Sequence, residues 1–247
     1  MKKSAGKICL FALVFFSLAA FKYAEGEQPD SKLVKVEGDT LTYILPAPAT
    51  AGTMTVEQAL AERRSRRNYT EQALSAEQLS QLLWAAYGVT NPRQSPALRG
   101  GLRTAPSAGA LYPFEVYAVV GNVEGVEPGL YKYDAKEHRI IRTIDRDIRE
   151  EFAAVALNQS FIKKAPVSIF YSAIFSRMTK KYGDRGRERY VCMDLGHSAQ
   201  NIYLQAEALG LGTCAIGAFH DEQVAKLLKL TEEEEPLYIM TIGHYNK

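Results

Sequence analysis

The sequence predicts an α+β fold, and three patterns carry that prediction. Strand-like and helix-like segments are mixed along the chain without the strict βαβ rhythm of a doubly wound sheet. Apolar, β-rich runs stand at Phe114–Val120, Val167–Ile174 and Leu237–Ile242. Amphipathic helical periodicity appears at Thr55–Arg64 and Ser75–Tyr87.

Length and composition agree with this. A chain of 247 residues, 47% hydrophobic and 23% charged, has the make-up of a globular protein and can bury a full core without disulfide or metal staples. The N-terminus is a separate matter. Lys2, Lys3 and Lys7 precede the apolar run Ile8–Phe21, the pattern of a secretory signal peptide. That run falls short of the ~20 residues a spanning helix needs, so residues 1–24 are read as a cleaved signal with no membrane insertion afterwards. The mature protein is therefore expected in the periplasm or outside the cell. Cleavage removes four of the 30 bases and none of the 28 acids, leaving 26 against 28. A slightly acidic domain gives no argument for nucleic acid or membrane partners. Only Cys192 and Cys214 then remain, which is not a disulfide framework.

Taken in order, Glu25–Thr53 is polar and then proline-bearing (Leu45-Pro-Ala-Pro48), and reads as an N-terminal arm on the surface. A single domain is expected over residues 54–247. In the helix Ser75–Tyr87, Ser75 and Gln78 form a capping box, Leu79, Leu82, Leu83 and Ala86 share one face, and Gly88 ends it. Asn91–Gly101 is rich in Pro, Gly and Ser and reads as a loop. After the strand Phe114–Val120 comes a hairpin, Leu130–Tyr133 and Arg139–Ile144, turning at Asp134–His138. A short helix at Ile148–Leu157 and the buried strand Val167–Ile174 follow. A long helix, Arg187–Leu209, stops at Gly210 in the manner of a glycine C-cap. The helix Asp221–Leu230 and the strand Leu237–Ile242 complete the domain.

Four segments carry side chains suited to chemistry. Arg63-Arg64-Ser65-Arg66-Arg67 sets four guanidinium forks and a hydroxyl in five positions, a donor set for phosphate, although such runs also serve as solvated basic patches. The run Arg103–Pro113 (Arg-Thr-Ala-Pro-Ser-Ala-Gly-Ala-Leu-Tyr-Pro) leads into the first long strand. Its Pro106 and Gly109 suit a tight turn, and its small Ser107 and Ala108 admit a flat ligand to the backbone; an ordinary connection would look similar. Lys181-Tyr182 would supply a base and an acid if burial depressed the lysine from its ordinary value of about 10.4; otherwise it is a charged helix start. From Gly196-His197 to Gly210–Phe219, glycines again permit close approach of a loop to a ligand. His138, His197, His220 and His244 lack metal-ligand spacing, so no metal site is expected. No G-x-G-x-x-G follows a strand, which argues against a Rossmann site.

Read in order, these segments resemble the nitroreductase superfamily over roughly Val56–His244, and within it the SagB/ThcOx-type flavin dehydrogenases. The most specific element is the Arg103–Pro113 run followed by Phe114-Glu-Val-Tyr117, set between the upstream Arg-Arg-Ser and the downstream Gly-Leu-Gly-Thr213. The resemblance implies a mainly antiparallel sheet flanked by helices, FMN as cofactor, and an intertwined homodimer with the long helix Arg187–Leu209 at its core. It implies that Arg63, Arg64, Ser65 and Arg67 grip the FMN phosphate, with Lys247 as a C-terminal basic contribution. Pro106, Ser107, Ala108 and Gly109 would lie against the flavin, and Ala215, Ile216, Gly217 and Ala218 would pass near its reactive nitrogen. Lys181 and Tyr182 match the Lys-Tyr pair of azoline-oxidising members and would be catalytic. The function implied is an exported FMN-dependent oxidoreductase acting on a small molecule. Alternatives are a nicotinamide-dependent nitro- or quinone reductase, and a non-catalytic flavin- or ligand-binding scaffold.

Overall fold

A computed structural model describes residues 32–38, 40–93 and 98–246. The expected signal peptide, the start of the arm and Lys247 lie outside the described residues. Eight strands form one sheet in the order β1-β2-β7-β6-β5-β8-β10-β9, and every pairing in it is antiparallel. The strands are β1 (Val34–Val36), β2 (Thr42–Ile44), β5 (Phe114–Val120), β6 (Gly129–Asp134), β7 (Arg139–Ile144), β8 (Val167–Ala173), β9 (Gly212–Ile216) and β10 (Glu235–Gly243). A separate ribbon pairs β3 (Val89–Pro92) with β4 (Gly101–Arg103).

Both sheet faces are covered, and the period-2 alternation of the central strands shows why. β5 sends Val116, Ala118 and Val120 into one core and Tyr117 and Val119 into the other. The first core is closed by α2 (Ala76–Tyr87) and α6 (Val191–Ala208) through Leu79, Leu82, Leu83, Ile202 and Ala206. The second is closed by α3 (Arg149–Val155), α4 (Ser160–Lys164) and α7 (Asp221–Leu228) through Phe152, Ile162, Val224 and Leu228. Remaining helices are α1 (Val56–Glu62) and α5 (Ser176–Tyr182). Thr55 and Ser75 cap α1 and α2 with full capping boxes. Gly88 ends α2 by turning extended (φ −66°, ψ 152°), a close turn in which a Cβ would sit 2.8 Å from the Trp84 Cα. Among the described residues no helix is long and apolar enough to cross a membrane.

The differences from expectation are local. The segment read as a surface arm contributes β1 and β2 to the sheet, and Leu41, Tyr43 and Leu45 are buried. Their period-2 spacing packs Tyr43 on Tyr131 (5.9 Å between centroids), a pattern too short to outweigh the prolines beside it. The flanks of the expected loop Asn91–Gly101 pair as β3 and β4. The glycine-rich stretch read as a ligand loop is largely the strand β9. The long helix enters through a π-helical turn, Gly186–Tyr190, before α6 proper. Lys181-Tyr182 closes a helix instead of starting one.

One buried histidine fastens the N-terminal segment. His138, in the β6–β7 turn, places Nε2 2.7 Å from Ser80 Oγ and 3.0 Å from Pro46 O, while Nδ1 lies 2.9 Å from the Tyr133 hydroxyl. Ser80 Oγ also donates to Pro46 O at 2.5 Å. Burial lowers the His138 pKa below its ordinary 6.5, so the folded state favours the neutral ring. Protons then bind more readily to the unfolded chain, and stability is lost as pH falls from about 6.5 toward the folded value. The melting temperature is expected to drop on acidification from about pH 7.5 to about pH 5.5. His138→Gln should flatten that part of the profile; an unchanged slope in the variant would refute the assignment.

Candidate functional site

The structure gathers the expected residues into two constellations at opposite ends of α6. The first begins where α1 stops. Arg63 leaves helical geometry (φ −50°, ψ 124°), and the extended chain beyond it forms a bridge between Ser65 and Thr213 of β9. Extended backbone alternates its side chains, which separates Arg63, Ser65 and Arg67 from Arg66. Arg66 turns inward, pairs with Glu207 at 2.8 Å and stacks on Tyr245 (4.2 Å to its centroid). Arg66 is therefore occupied by the fold. Arg64 turns its guanidinium back onto the carbonyls of Ala61 and Arg63. Among the described residues no carboxylate pairs with Arg63, Arg64 or Arg67.

Tyr203 of α6 ties this segment to β9. Its hydroxyl lies 3.0 Å from Ser65 Oγ and accepts the Ala215 N–H at 3.0 Å, and Arg63 sits over its ring at 5.3 Å. The four residues expected along a flavin ring divide here. Ala215 has its N–H engaged by Tyr203, and the Ile216 side chain is buried in the second core. Gly217 and Ala218 are exposed, and a Cβ on Gly217 would meet nothing nearer than the Tyr238 ring at 3.7 Å. Gly217 and Ala218 are the exposed pair, with the Ala218 carbonyl accepting Gln159 Nε2 at 3.0 Å. Cys214 is buried and Cys192 exposed, and both are free thiols.

The second constellation is organised by Asp194, a buried carboxylate of α6. It accepts the Ser107 hydroxyl at 2.6 Å and the Ala108 N–H at 3.1 Å. Ser107 Oγ in turn accepts the Tyr112 N–H at 3.0 Å. Burial raises the Asp194 pKa, opposed by these hydrogen bonds and by His197. Three residues of the turn it holds have positive φ: Gly109 (63°), Ala110 (55°) and Tyr112 (47°). Two of these are not glycine, so the turn stores backbone strain that its hydrogen bonds must outweigh.

Lys181 and Tyr182 come down onto this turn from the end of α5. A Cβ on Gly109 would stand 2.6 Å from the Tyr182 hydroxyl and 2.9 Å from Lys181 Nζ. Glycine at 109 suits both its φ and the close approach of the pair it faces. Lys181 Nζ lies 5.2 Å from the Tyr182 ring centroid, and Tyr182 packs edge-on to Tyr190 at 4.9 Å. Lys181 is exposed in the single chain.

Sequence reasoning missed Asp194, Tyr203 and Glu207. The signal was present for the first: Val191, Asp194, Ser198, Ile202 and Ala206 fall at helical spacing on the buried stripe, where a carboxylate needs a partner. Nothing local marks Tyr203. Among the described residues no three of His, Cys, Asp and Glu gather closely enough to hold a metal ion.

An antiparallel sheet covered by helices on both faces, with an Arg-Ser segment braced on its edge strand and a strained small-residue turn beside the long helix, is a nitroreductase-like fold. The chain belongs to the nitroreductase family, which it matches over residues 60–244, and is an oxidoreductase of that family. It is 45% identical over 206 residues to the nitroreductase-like protein MJ1384 of Methanocaldococcus jannaschii, covering 83% of this chain and 98% of that one. A solved nitroreductase-like structure from Ralstonia eutropha superposes with a TM-score of 0.70 at 33% identity, covering 83% of this chain and 90% of that one. The microcin B17-processing protein McbC of Escherichia coli is 27% identical over 164 residues, 64% of this chain and 60% of its own.

Proposed function

We propose that this protein is an exported, FMN-dependent oxidoreductase of the SagB/ThcOx dehydrogenase type, working as a homodimer on a small molecule. The observation that carries this reading is the contact of Gly109 with Lys181 and Tyr182, which sets a proton-handling pair against a turn built for close approach. Likeness to a microcin-processing protein supports the same branch. The residues fit FMN: Arg63, Ser65 and Arg67 offer charge-assisted donors to a phosphate, Arg64 adds a nearby positive charge, and Gly217 and Ala218 leave backbone open to a flat ring. When bound, FMN supplies the two-electron sink that dehydrogenation requires.

The chain's own residues perform the rest. Lys181, once screened from water, takes the proton from the substrate carbon, and the Tyr182 hydroxyl orients the amine. Asp194 keeps the Ser107–Gly109 turn in the geometry that the pair faces. A second copy of the chain would supply the missing enclosure. Val56 and Leu60 on α1 and Met193 on α6 are 63%, 53% and 54% exposed, large apolar side chains that a second protomer would cover. The N-terminal lysines and apolar run support export, which makes a nicotinamide donor less accessible than in the cytoplasm.

A second reading, a nicotinamide-dependent nitro- or quinone reductase, is favoured by the exposure of Lys181, since that activity does not need the pair. A non-catalytic flavin binder would keep the cradle and lose turnover. The test that comes first is an absorption spectrum of the purified protein before and after adding FMN, with mass identification of released ligand. A flavin band with one FMN per chain supports the proposal; a folded sample that takes up no flavin sinks it. Arg67→Ala is expected to weaken FMN binding about 10- to 100-fold, the equivalent of one charge-assisted contact of about 1.5–3 kcal/mol. An unaltered dissociation constant in a fluorescence titration would remove Arg67 from the phosphate site.

A further inference from the structure

β5 and β6 stop pairing before they end. β5 pairs with β8 along its whole length, from Phe114↔Ala173 to Val120↔Val167. With β6 it pairs only from Tyr117↔Lys132 to Val120↔Gly129. Phe114–Val116 and Tyr133–Asp134 therefore part, and a cavity of about 480 Å³ opens at that end of the sheet. That volume falls within the ~300–1,000 Å³ of small-ligand pockets. Tyr87, Phe114 and Tyr133 provide its aromatic lining, and Arg99, Arg103, Lys132 and Lys136 its cations. None of the residues assigned to flavin, nor the Lys181-Tyr182 pair, lines it.

The cations there outnumber the acids, although Lys136 has its own partner in Glu137 at 3.1 Å. Glu115 is shared by three cations: Arg177, Lys132 at 3.0 Å and Arg99 at 3.5 Å. Burial pushes its carboxyl up, but Lys132 and Arg177 outweigh that and leave it below the usual carboxylate range. Lys132 also stands 3.6 Å from Glu234, which is itself held by Tyr117 and Ser172. Asp134, the other acid of the lining, is committed to Arg139 at 3.0 Å and to the Lys136 N–H at 3.2 Å. Arg103 has no carboxylate partner among the described residues. Its terminal nitrogens donate to the carbonyls of Tyr87 and Arg99, its guanidinium stacks between Tyr87 (4.4 Å) and Tyr112 (5.1 Å), and its buried Nε has no partner. Burial first, and then the neighbouring Arg177 and Arg103 charges, lower the Arg99 pKa, with Glu115 opposing them.

We propose that this cavity is a binding site for a small organic anion, a carboxylate or phosphate carried on a flat apolar body. Arg99 and Lys132 meet the anionic group, which relieves the cation crowding, while Tyr87, Phe114 and Tyr133 receive the body. Arg177, which rims the site through Glu115 and the Tyr112 and Pro113 carbonyls, stands one helical turn before Lys181 in α5. An anion bound here would leave the flavin cradle free.

Calorimetric titration of the purified protein at low salt with benzoate, phenyl phosphate and the neutral benzamide tests this. Binding of either anion at least about tenfold tighter than benzamide is the expected result, and which anion binds identifies the headgroup. Arg99→Gln and Lys132→Met should each weaken the preferred anion about tenfold, and either variant suffices if the other fails to fold. Equal binding of benzamide, no binding of any of the three, or unchanged anion affinity in the folded variants overturns the proposal. The readout does not depend on flavin, so a protein that takes up no FMN but binds the anion would defeat the proposed function and leave this site standing.

Discussion

Lys181→Ala is expected to lower dehydrogenation by about 10²- to 10⁴-fold, the usual contribution of a positioned general base, while flavin remains bound. Lys181 touches none of the residues that hold the phosphate segment, so its removal leaves Arg63, Ser65, Arg67 and Tyr203 in place. A companion variant tests position as distinct from identity. In Gly109→Ala the new methyl would stand 2.6 Å from the Tyr182 hydroxyl and 2.9 Å from Lys181 Nζ, which are flexible side-chain ends and will move aside. Turnover should fall with both residues still present, at a stability cost of about 1–2 kcal/mol for a side chain at φ 63°. Flavin-loaded Lys181→Ala protein that turns over at the wild-type rate would remove the pair from the mechanism and favour the nicotinamide-dependent reductase. The two activities separate cleanly, because reduction of a quinone by a nicotinamide should be insensitive to either substitution.

The second large effect concerns stability. Glu207 is buried at 6% exposure and holds Arg66 at 2.8 Å, and Arg66 is itself largely enclosed between Glu207 and the Tyr245 ring. Removing one partner of such a pair leaves the other charge desolvated and uncompensated, a cost of about 3–5 kcal/mol. Glu207→Ala should therefore lower the melting temperature by roughly 6–20 °C for a domain of this size. Because Arg66 lies between Ser65 and Arg67, FMN affinity should fall with it. Glu207→Gln, which keeps an acceptor but not the charge, should lose less. A melting temperature within about 2 °C of wild type for the alanine variant would show that water solvates Arg66 once the carboxylate is gone.

Much of the candidate site was legible because its residue types show their chemistry in the sequence. Glycine at 109 and alanine at 108 announce close approach, and four arginines in five positions announce an anion. What could not be read was the division of labour among them. Arg63, Arg64, Arg66 and Arg67 are chemically alike, yet the bridge of Ser65 to Thr213 turns Arg66 inward and leaves the others outside. Ala215 and Ile216 belong to the expected Ala215–Ala218 set, but strand pairing sends Ile216 into the core and gives the Ala215 N–H to Tyr203. The elements missed were short. β1 and β2 have three residues each and α4 has five, too few for a period to emerge, and they form because long-range partners supply their hydrogen bonds.

By itself the sequence determined the α+β class, the first two helices and the cap of the second, the central strands and hairpin, and which segments hold side chains suited to chemistry, since these depend on periodicity, caps and residue type within a few positions. Only the tertiary structure decided that Gly109 meets Lys181 and Tyr182, more than 70 residues away, and that Asp194 and Tyr203 anchor two constellations on one helix. It alone shows where β5 and β6 part and gather cations around Glu115. The reason is physical. Local preferences act over one or two turns of chain, whereas contacts between distant segments arise when two cores close on opposite faces of the same sheet.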